Sequence, residues 1–459
     1  MILHKGNPMT ARDDELSKTD VDRRSVLGLA TGAVIGAAGV AQPAAVSRSD
    51  IVMMDAVALS SAIHTRQLSC VEVMSAYLDH IERLNPQVNA IVALQDRAGL
   101  VAQAGERDAE LARGQSLGPL HGFPHAVKDL QNVKGIRSTQ GSPILKDFVP
   151  AADSLMVERL RQAGAIIIGK TNSPEFGLGS HTYNPVYGTT RNAYDQSRSA
   201  GGSSGGAAVS LALRMLPVAD GSDYGGSLRN PSGWNNVLGF RTSIGRVPND
   251  ARDVWLPSIG VSGPMARNVT DLALLLSVQA GYDPRAPLSI DGEGTLFQAP
   301  LEKSFKGKRI AWAGDFKGYT PYEPGVLDVC RDALKVFESL GCAVEEAQPD
   351  YSLDAVWRAV LRIRSWQQGG GFSPSTTIPP SARCSSRRRS TRSSSASSNR
   401  PTTSPPPRWC APNGTRRSAA SSSATTISSS RPRRCSPSTP ICIGRPRSGG
   451  TRWRPITNG

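Results

Sequence analysis

The stretch that decides the fold is GGSSGG at Gly201–Gly206, followed after a spacer by GSDYGGSLR at Gly221–Arg229. These two glycine- and serine-rich loops flank a helix-like run, AAVSLAL, and an apolar run, MLPVAD. A lone GGSSGG is most often a flexible linker. A linker, however, seldom lies between buried-looking elements or repeats its composition one helix and one strand later. We therefore interpret the pair of loops as parts of one site.

The second loop has the features of an acyl-transfer site. Gly225 and Gly226 allow a tight turn in front of Ser227, and Leu228 is placed to begin a helix. Such a turn directs several backbone N–H groups to one point, beside a helix N-terminus that favours negative charge. A serine hydroxyl at that point would be a nucleophile with an oxyanion hole next to it.

The base that this serine needs is not a histidine in the usual hydrolase order. GGSSG matches the G-x-S-x-G nucleophile elbow, whose acid and histidine follow the serine along the chain. All 6 histidines precede Ser203, so that order is excluded. The S-x-x-K arrangement is excluded too, because no serine lies three residues before a lysine. One lysine stands out, Lys128, because it ends an apolar run, HAVK, that is typical of a buried strand; most lysines are solvated, so its position alone assigns it no role.

Three motifs in order, HAVKD, GGSSGG and GSDYGGSLR, resemble those of the amidase signature family of serine amidohydrolases, which carry a Ser–Ser–Lys triad. The resemblance runs from about Ile51 to about Ser365 and includes TNSPEFGLGS and GFRTSIGRVP. It implies an α/β fold with a mixed central β-sheet covered by α-helices on both faces. It also implies an amidase that hydrolyses a carboxylic amide C–N bond to an acid plus an amine or ammonia through an acyl-enzyme.

Matched motif by motif, the resemblance makes Ser227 the nucleophile, Ser203 the bridging serine and Lys128 the base. In the family, a cis peptide bond holds the bridging serine. Burial would keep Lys128 neutral by lowering its pKa, so that it can take the proton that Ser203 relays from Ser227. The resemblance further implies an oxyanion hole built from four backbone N–H groups, those of Tyr224, Gly225, Gly226 and Ser227.

Further residues are expected to support this site. Asp223 and Arg229 flank the nucleophile, and we prefer an ion pair that braces the loop over a direct chemical role. Ser204 is expected to be a hydrogen-bonding neighbour of the triad. Tyr224 stands where the family often has threonine, so the floor of the pocket is expected to differ.

Helices and strands alternate along the body of the chain, which predicts an α/β core. Ser69 and Glu72 form a capping box that opens a helix, and a second helix is predicted over residues 96–112. A helix over residues 154–163, capped by Asp153, precedes the strand AIIIGK. Beyond the glycine-rich loops, the pattern predicts a strand at 308–312, a helix at 326–340 and a strand at 342–346.

The first residues resemble an export signal. Arg23 and Arg24 precede a weakly apolar run, Ser25–Ala41, that is too short and too rich in glycine for a comfortable membrane span. Residues 1–45 are therefore predicted to be a twin-arginine-type signal segment that engages the twin-arginine export machinery. The product would be periplasmic or extracellular, without stable membrane association. The competing interpretation is a chance apolar run in a disordered arm.

Positive charge is concentrated at the other end of the chain. Residues 372–459 contain 16 arginines and no Lys, Asp or Glu, so the net charge of +15 becomes −1 over the rest. This Arg/Ser/Pro-rich, low-complexity composition predicts a disordered tail. A basic arm that binds nucleic acid is one explanation. We prefer a frameshifted stretch of a GC-rich gene, and so expect no nucleic-acid partner.

The chain is thus expected to divide into the signal segment, an amidase signature domain at 46–371 that is incomplete at its C-terminal side, and the tail. Later segments complete the sheet in relatives, so an exposed sheet edge and core face are expected here. The alternatives to an active amidase are an amidase-type subunit of a tRNA-dependent amidotransferase, an inactive frameshifted amidase, and a basic nucleic-acid-binding protein acting through the tail. The export signal disfavours the amidotransferase subunit, whose work is cytoplasmic.

No C-x-x-C pair, histidine cluster or phosphate-binding loop occurs in the sequence, so neither a metal nor a cofactor is expected. The expected ligand is a small-molecule amide. Its identity does not follow from the sequence, and neither does the oligomeric state, with a homodimer among the expected forms.

Overall fold

The computed structural model describes residues 47–249 and 259–371, and the predicted signal segment and tail lie outside these residues. The α-helices of this part are α1 (Arg48–Met53), α2 (Ala56–His64), α3 (Cys70–Val88), α4 (Arg97–Ala112), α5 (Leu155–Gln162), α6 (Gly205–Ala212), α7 (Arg229–Trp234), α8 (Val269–Gln279), α9 (Val326–Ser339) and α10 (Leu353–Gly371). Its strands are β1 (Ile91–Val92), β2 (Pro124–Lys128), β3 (Ile166–Thr171), β4 (Tyr183–Asn184), β5 (Gly188–Thr189), β6 (Ala219–Asp223), β7 (Leu238–Gly239), β8 (Val261–Ala266), β9 (Arg309–Trp312) and β10 (Ala343–Glu346). None of the described helices is long and apolar enough to cross a membrane.

Two three-stranded sheets form the centre of the fold. In the first, β3 pairs in parallel with β2 and antiparallel with β1. In the second, β8 pairs antiparallel with both β6 and β7. The sheets meet along β2 and β6, where the carboxylate of Asp220 accepts the main-chain N–H of Lys128 at 3.2 Å. The predicted α/β fold with mixed sheets and flanking helices is confirmed.

The two helices predicted at the start of the body are also confirmed. Ser69 Oγ accepts the Glu72 N–H at 3.1 Å, and the Glu72 carboxylate accepts the Ser69 N–H at 2.8 Å, which completes the capping box of α3. The Asp96 carboxylate accepts the Gly99 N–H at 2.9 Å and so begins α4. Helix α3 buries a full apolar face, which includes Val73, Met74, Tyr77, Leu78 and Ile81. Each such side chain contributes about 1.5–3 kcal/mol of hydrophobic stabilisation.

The predicted cap of α5 was wrong. The helix begins after Ser154, not after Asp153. The Asp153 carboxylate instead accepts the Lys134 N–H at 2.6 Å and the Arg161 Nε–H at 2.9 Å. A carboxylate that already joins a neighbouring loop to the helix side chains is turned away from the free N–H groups at the helix start.

The C-terminal part of the described chain forms its own small layer. The predicted succession of strand, helix and strand is confirmed as β9, α9 and β10, and the structure shows in addition that the two strands pair in parallel. Helix α10 was not predicted, and it continues through the three glycines at 369–371. Several large apolar side chains of α9 and α10 are exposed: Val329, Val336, Phe337, Val356, Trp357, Ile363 and Trp366.

Candidate active site

Lys128 lies at the end of β2, and its side chain is completely buried. Three serine hydroxyls surround its amine. The Nζ atom is 2.9 Å from Ser203 Oγ, 2.7 Å from Ser204 Oγ and 2.9 Å from Ser222 Oγ. The structure therefore places the predicted base in direct contact with the predicted bridging serine and with two more hydroxyls.

The buried position decides the protonation of this amine. Burial lowers the pKa of Lys128 from 10.5 to about 7, although the nearby carboxylates of Asp220 and Asp223 act in the opposite direction. A neutral amine has two N–H donors and one lone pair. With three hydroxyls in contact, at least one of them must then donate its hydrogen to the nitrogen. The cluster is thus able to withdraw a proton from a serine hydroxyl near neutral pH.

The first glycine-rich loop approaches its neighbours too closely for side chains. A Cβ on Gly202 would lie 2.9 Å from the main-chain nitrogen of His181, and a Cβ on Gly206 would lie 2.3 Å from that of Asn172. The peptide bond between Gly202 and Ser203 is cis. This packing brings the Ser203 hydroxyl against the lysine and lets α6 begin directly after the serine pair.

The second glycine-rich loop is organised by Asp223, whose side chain is completely buried. Its carboxylate accepts the Gly226 N–H at 2.8 Å and the Leu228 N–H at 3.1 Å, and it pairs with Arg229 at 3.0 Å and Arg241 at 2.9 Å. Burial alone would raise the pKa of Asp223, but the hydrogen bonds from Arg229, Gly226 and Leu228 outweigh it and lower the pKa to about 2. Asp223 and Arg229 thus form an ion pair that braces the turn.

This arrangement corrects one expected oxyanion donor. The Gly226 N–H is occupied by the Asp223 carboxylate, so it is not available to a substrate oxygen. The N–H groups of Gly225 and Ser227 have no acceptor among the described residues.

The Tyr224 side chain reaches α10, where its hydroxyl donates to Gln367 Oε1 at 2.8 Å. Tyr224 therefore makes a contact with α10 that the shorter side chain of threonine, common at this position in the family, could not make.

Ser227 is half-buried at the start of the turn into α7. Its carbonyl oxygen accepts the N–H of Ser204 at 3.2 Å, which ties the two glycine-rich loops together. Its hydroxyl makes no hydrogen bond to another described residue. The structure thus joins Lys128 to Ser203 and ties the main chain of Ser227 to that of Ser204, whereas no hydrogen bond among the described residues joins Ser227 Oγ to Ser203 or Lys128.

Ser222 was missed from the sequence. It lies one residue before Asp223 inside the same motif, and its hydroxyl contacts the buried amine. Strand periodicity could have found it. Residues two apart in a strand share a face, and Asp220 and Ser222 of β6 both reach Lys128.

Metal ligands and thiols are the other groups that could support catalysis. Within residues 47–249 and 259–371, no group of three His, Cys, Asp or Glu side chains is placed to hold a metal ion. Cys70 is buried, and burial together with the neighbouring Asp108 raises the pKa of its thiol. A thiol with a raised pKa is a poor nucleophile, so Cys70 does not compete with the serines.

Comparisons with known proteins converge on one family. A sequence model of the Amidase family matches residues 72–427, and so reaches past Ser365, where the resemblance was expected to end. The chain is 39% identical over 297 residues to one subunit of the glutamyl-tRNA(Gln) amidotransferase of Carboxydothermus hydrogenoformans, an alignment that covers 65% of this chain and 61% of that protein. It is 36% identical over 309 residues to an acylamidase of Rhodococcus erythropolis, which covers 67% of this chain and 64% of that protein.

Solved structures show the same likeness. A bacterial aryl acylamidase of the amidase signature family superposes with a TM-score of 0.69 at 30% identity, over 74% of this chain and 72% of that one. The chain nevertheless spans only about three fifths of the length of the curated relatives that it matches.

Proposed function

The chain belongs to the amidase family, and from this premise we propose that it is an amide hydrolase with a Ser–Ser–Lys triad. The reaction is hydrolysis of a carboxylic amide C–N bond to an acid plus an amine or ammonia. One observation carries the proposal: the completely buried Lys128 amine, with its pKa near 7, lies 2.9 Å from Ser203 Oγ. A lysine that is neutral at physiological pH has the protonation state of a general base.

In the proposed mechanism, Ser227 Oγ attacks the carbonyl carbon while its proton passes to Ser203. The proton of Ser203 passes in turn to the neutral amine of Lys128. The oxygen of the tetrahedral intermediate accepts the N–H groups of Gly225 and Ser227, with that of Tyr224 as a third donor. Loss of one donor of this kind typically slows such a reaction by about 10²- to 10³-fold.

The leaving nitrogen then takes the proton back along the same path. The C–N bond breaks as Lys128 returns its proton through Ser203, and the amine leaves behind an ester on Ser227. Water attacks this ester while its proton passes through Ser203 to Lys128. The C–O bond to Ser227 then breaks, the acid leaves, and Lys128 returns the proton through Ser203 to Ser227 Oγ. Each bond that forms is thus matched by one that breaks, and the relay ends as it began.

The test is hydrolysis of a series of small amides, beginning with aryl acylamides because acylamidases are among the relatives. Release of the aromatic amine is followed by absorbance for the wild type and for Ser227→Ala. The matched control is Ser339→Ala, which changes an exposed serine on α9. Hydrolysis by the wild type and the control, but not by Ser227→Ala, supports the proposal, whereas equal rates in the two serine variants would contradict it.

A second function is favoured by the 39% identity to a subunit of a tRNA-dependent amidotransferase. In this case the chain would release ammonia from an amide for transfer to tRNA-bound substrate, as one component of a complex. The test is glutamine hydrolysis with and without the partner subunits and charged tRNA of the same organism. Hydrolysis that requires these partners, with no activity toward free small amides, would favour the amidotransferase role.

We also propose export of the protein, a proposal that rests on the sequence of residues 1–45 alone. A fusion of this segment to a reporter that works only after twin-arginine export, with Arg23→Lys and Arg24→Lys together as the control, tests it. Export of the double variant at the wild-type level would contradict the proposal.

We further propose that residues 372–459 come from a frameshift in the gene. Translation of the coding DNA of these residues in the other two frames tests this, and the proposal fails if neither frame encodes amidase-like sequence.

A further inference from the structure

A buried pair of side chains, His125 and Asp220, lies next to Lys128 and has no role in the mechanism above. His125 Nε2 is 3.0 Å from Asp220 Oδ1, and both side chains are completely buried. The same carboxylate accepts the main-chain N–H of Lys128, with Oδ2 at 3.2 Å and Oδ1 at 3.3 Å. Two residues further along β6, Ser222 Oγ lies 2.9 Å from the lysine Nζ. One strand therefore holds the lysine at both its main chain and its amine.

The surroundings of His125 indicate how this pair is charged. Its Nδ1 atom is buried and has no hydrogen-bond partner among the described residues. A doubly protonated ring would bury an unpaired N–H and a positive charge, whereas a neutral ring with hydrogen on Nε2 leaves only one lone pair unpaired. A neutral ring with its hydrogen on Nε2 is thus favoured, and this Nε2–H donates to the Asp220 carboxylate.

Two other carboxylates close to Lys128 along the chain or the sheet have cations of their own. Asp223, further along β6, is paired with Arg229 and Arg241. Asp129, directly after the lysine, has the buried Lys170 of β3 at 3.9 Å.

Asp220 differs from both. Its direct side-chain partner is a neutral imidazole, so its negative charge is the least compensated of the three. Asp220 is also the strongest electrostatic influence that opposes burial at Lys128, and it acts on the buried Lys170 as well.

We propose that His125 and Asp220 are positioning residues for the reaction, in which His125 holds an ionised Asp220 that fixes the main chain of Lys128 and supplies negative charge felt by its amine. This inference rests on the proposed amide-hydrolase function. It goes beyond the triad because both residues act through the lysine, from the strand side of the cluster. Without the pair, the lysine would lose its strongest electrostatic support against burial.

The experiment measures the rate of labelling by a fluorophosphonate probe as a function of pH. It compares three forms of the full chain: the wild type, Asp220→Asn, and Asp332→Asn as the control. Asp220→Asn keeps an oxygen for the Lys128 N–H and removes the charge. The midpoint of its pH profile is expected to move down by about one unit or more. Asp332 is exposed on α9, so the control keeps the wild-type midpoint.

The role of His125 is tested beside it. His125→Phe keeps an aromatic ring and loses the donor to Asp220, and its plateau labelling rate is expected to fall about tenfold. His125→Gln restores an N–H donor and is expected to recover most of that loss. A purely structural role of the ring would give the opposite order.

The outcomes separate this inference from the proposed function. Absence of labelling in folded wild-type protein overturns both. Labelling of the wild type with an unshifted midpoint in Asp220→Asn overturns the inference alone. If Asp220→Asn does not fold, the His125 variants decide, and equal rates for His125→Phe and His125→Gln overturn the inference.

Discussion

The labelling of Ser227 by a fluorophosphonate is predicted to follow the protonation of the buried Lys128. Burial lowers the pKa of this amine from 10.5 to about 7, and only the neutral amine, present above that pKa, accepts the serine proton. The rate is therefore expected to reach a plateau above about pH 8, to be about one tenth of the plateau at pH 6 and about one hundredth at pH 5. A solvated lysine would instead give a rate that still rises about tenfold per unit up to about pH 10.

The assay is the second-order rate constant of inactivation between about pH 5 and about pH 10, a range that spans both the shifted and the ordinary pKa. It is corrected for hydrolysis of the probe in protein-free buffer. Circular dichroism at each pH confirms that the protein stays folded. The exposed-site variant Ser339→Ala is the control for substitution as such, and it should give the wild-type profile. A midpoint at or above about pH 9 would refute the reasoning, because the amine would then be protonated in spite of its burial.

Three further predictions concern the loops around the lysine. Asp223→Asn should lower the free energy of unfolding by about 1–2 kcal/mol at pH 7, because folding lowers the pKa of Asp223 to about 2. The stability that the ionised carboxylate contributes is present above about pH 4 and is lost as the pH falls toward 2. Equal urea midpoints of the variant and the wild type at pH 7 would contradict this prediction. Gly206→Ala should lower the melting temperature, because its Cβ would lie 2.3 Å from the Asn172 nitrogen, whereas Gly233→Ala meets open space; similar melting temperatures for these two variants would show that the contact is not tight. Ser222→Ala removes a hydroxyl 2.9 Å from the buried amine and should slow labelling about tenfold with little change in melting temperature; an unchanged rate would remove Ser222 from the site.

Much of the fold could be predicted because local chemistry decides it. The capping box at Ser69 closes through residues three apart, and the apolar run before Lys128 has one buried environment to go to. The first glycine-rich loop was predictable for a related reason, since its close packing excludes side chains at Gly202 and Gly206. In each case the deciding contacts either lie within a few residues or require one particular residue type.

The parts that the sequence did not predict depend on contacts between distant segments. His125 and Asp220 are 95 residues apart, and nothing local indicates that they meet. The cap of α5 failed because Arg161 and a neighbouring loop compete for Asp153. The Gly226 N–H was expected to face a substrate, but the turn directs it to the Asp223 carboxylate three residues earlier. Such competition between partners is decided only when the chain is folded.

The central claim is that Lys128, Ser203 and Ser227 form one working site in this chain. The most direct measurement is fluorophosphonate labelling of wild type, Ser227→Ala and Lys128→Ala at pH 8, with peptide mapping by mass spectrometry. The account predicts one label on Ser227 in the wild type, no label in Ser227→Ala, and a loss of at least about 10²-fold in Lys128→Ala. A label on another serine, or an undiminished rate in Lys128→Ala, would contradict it.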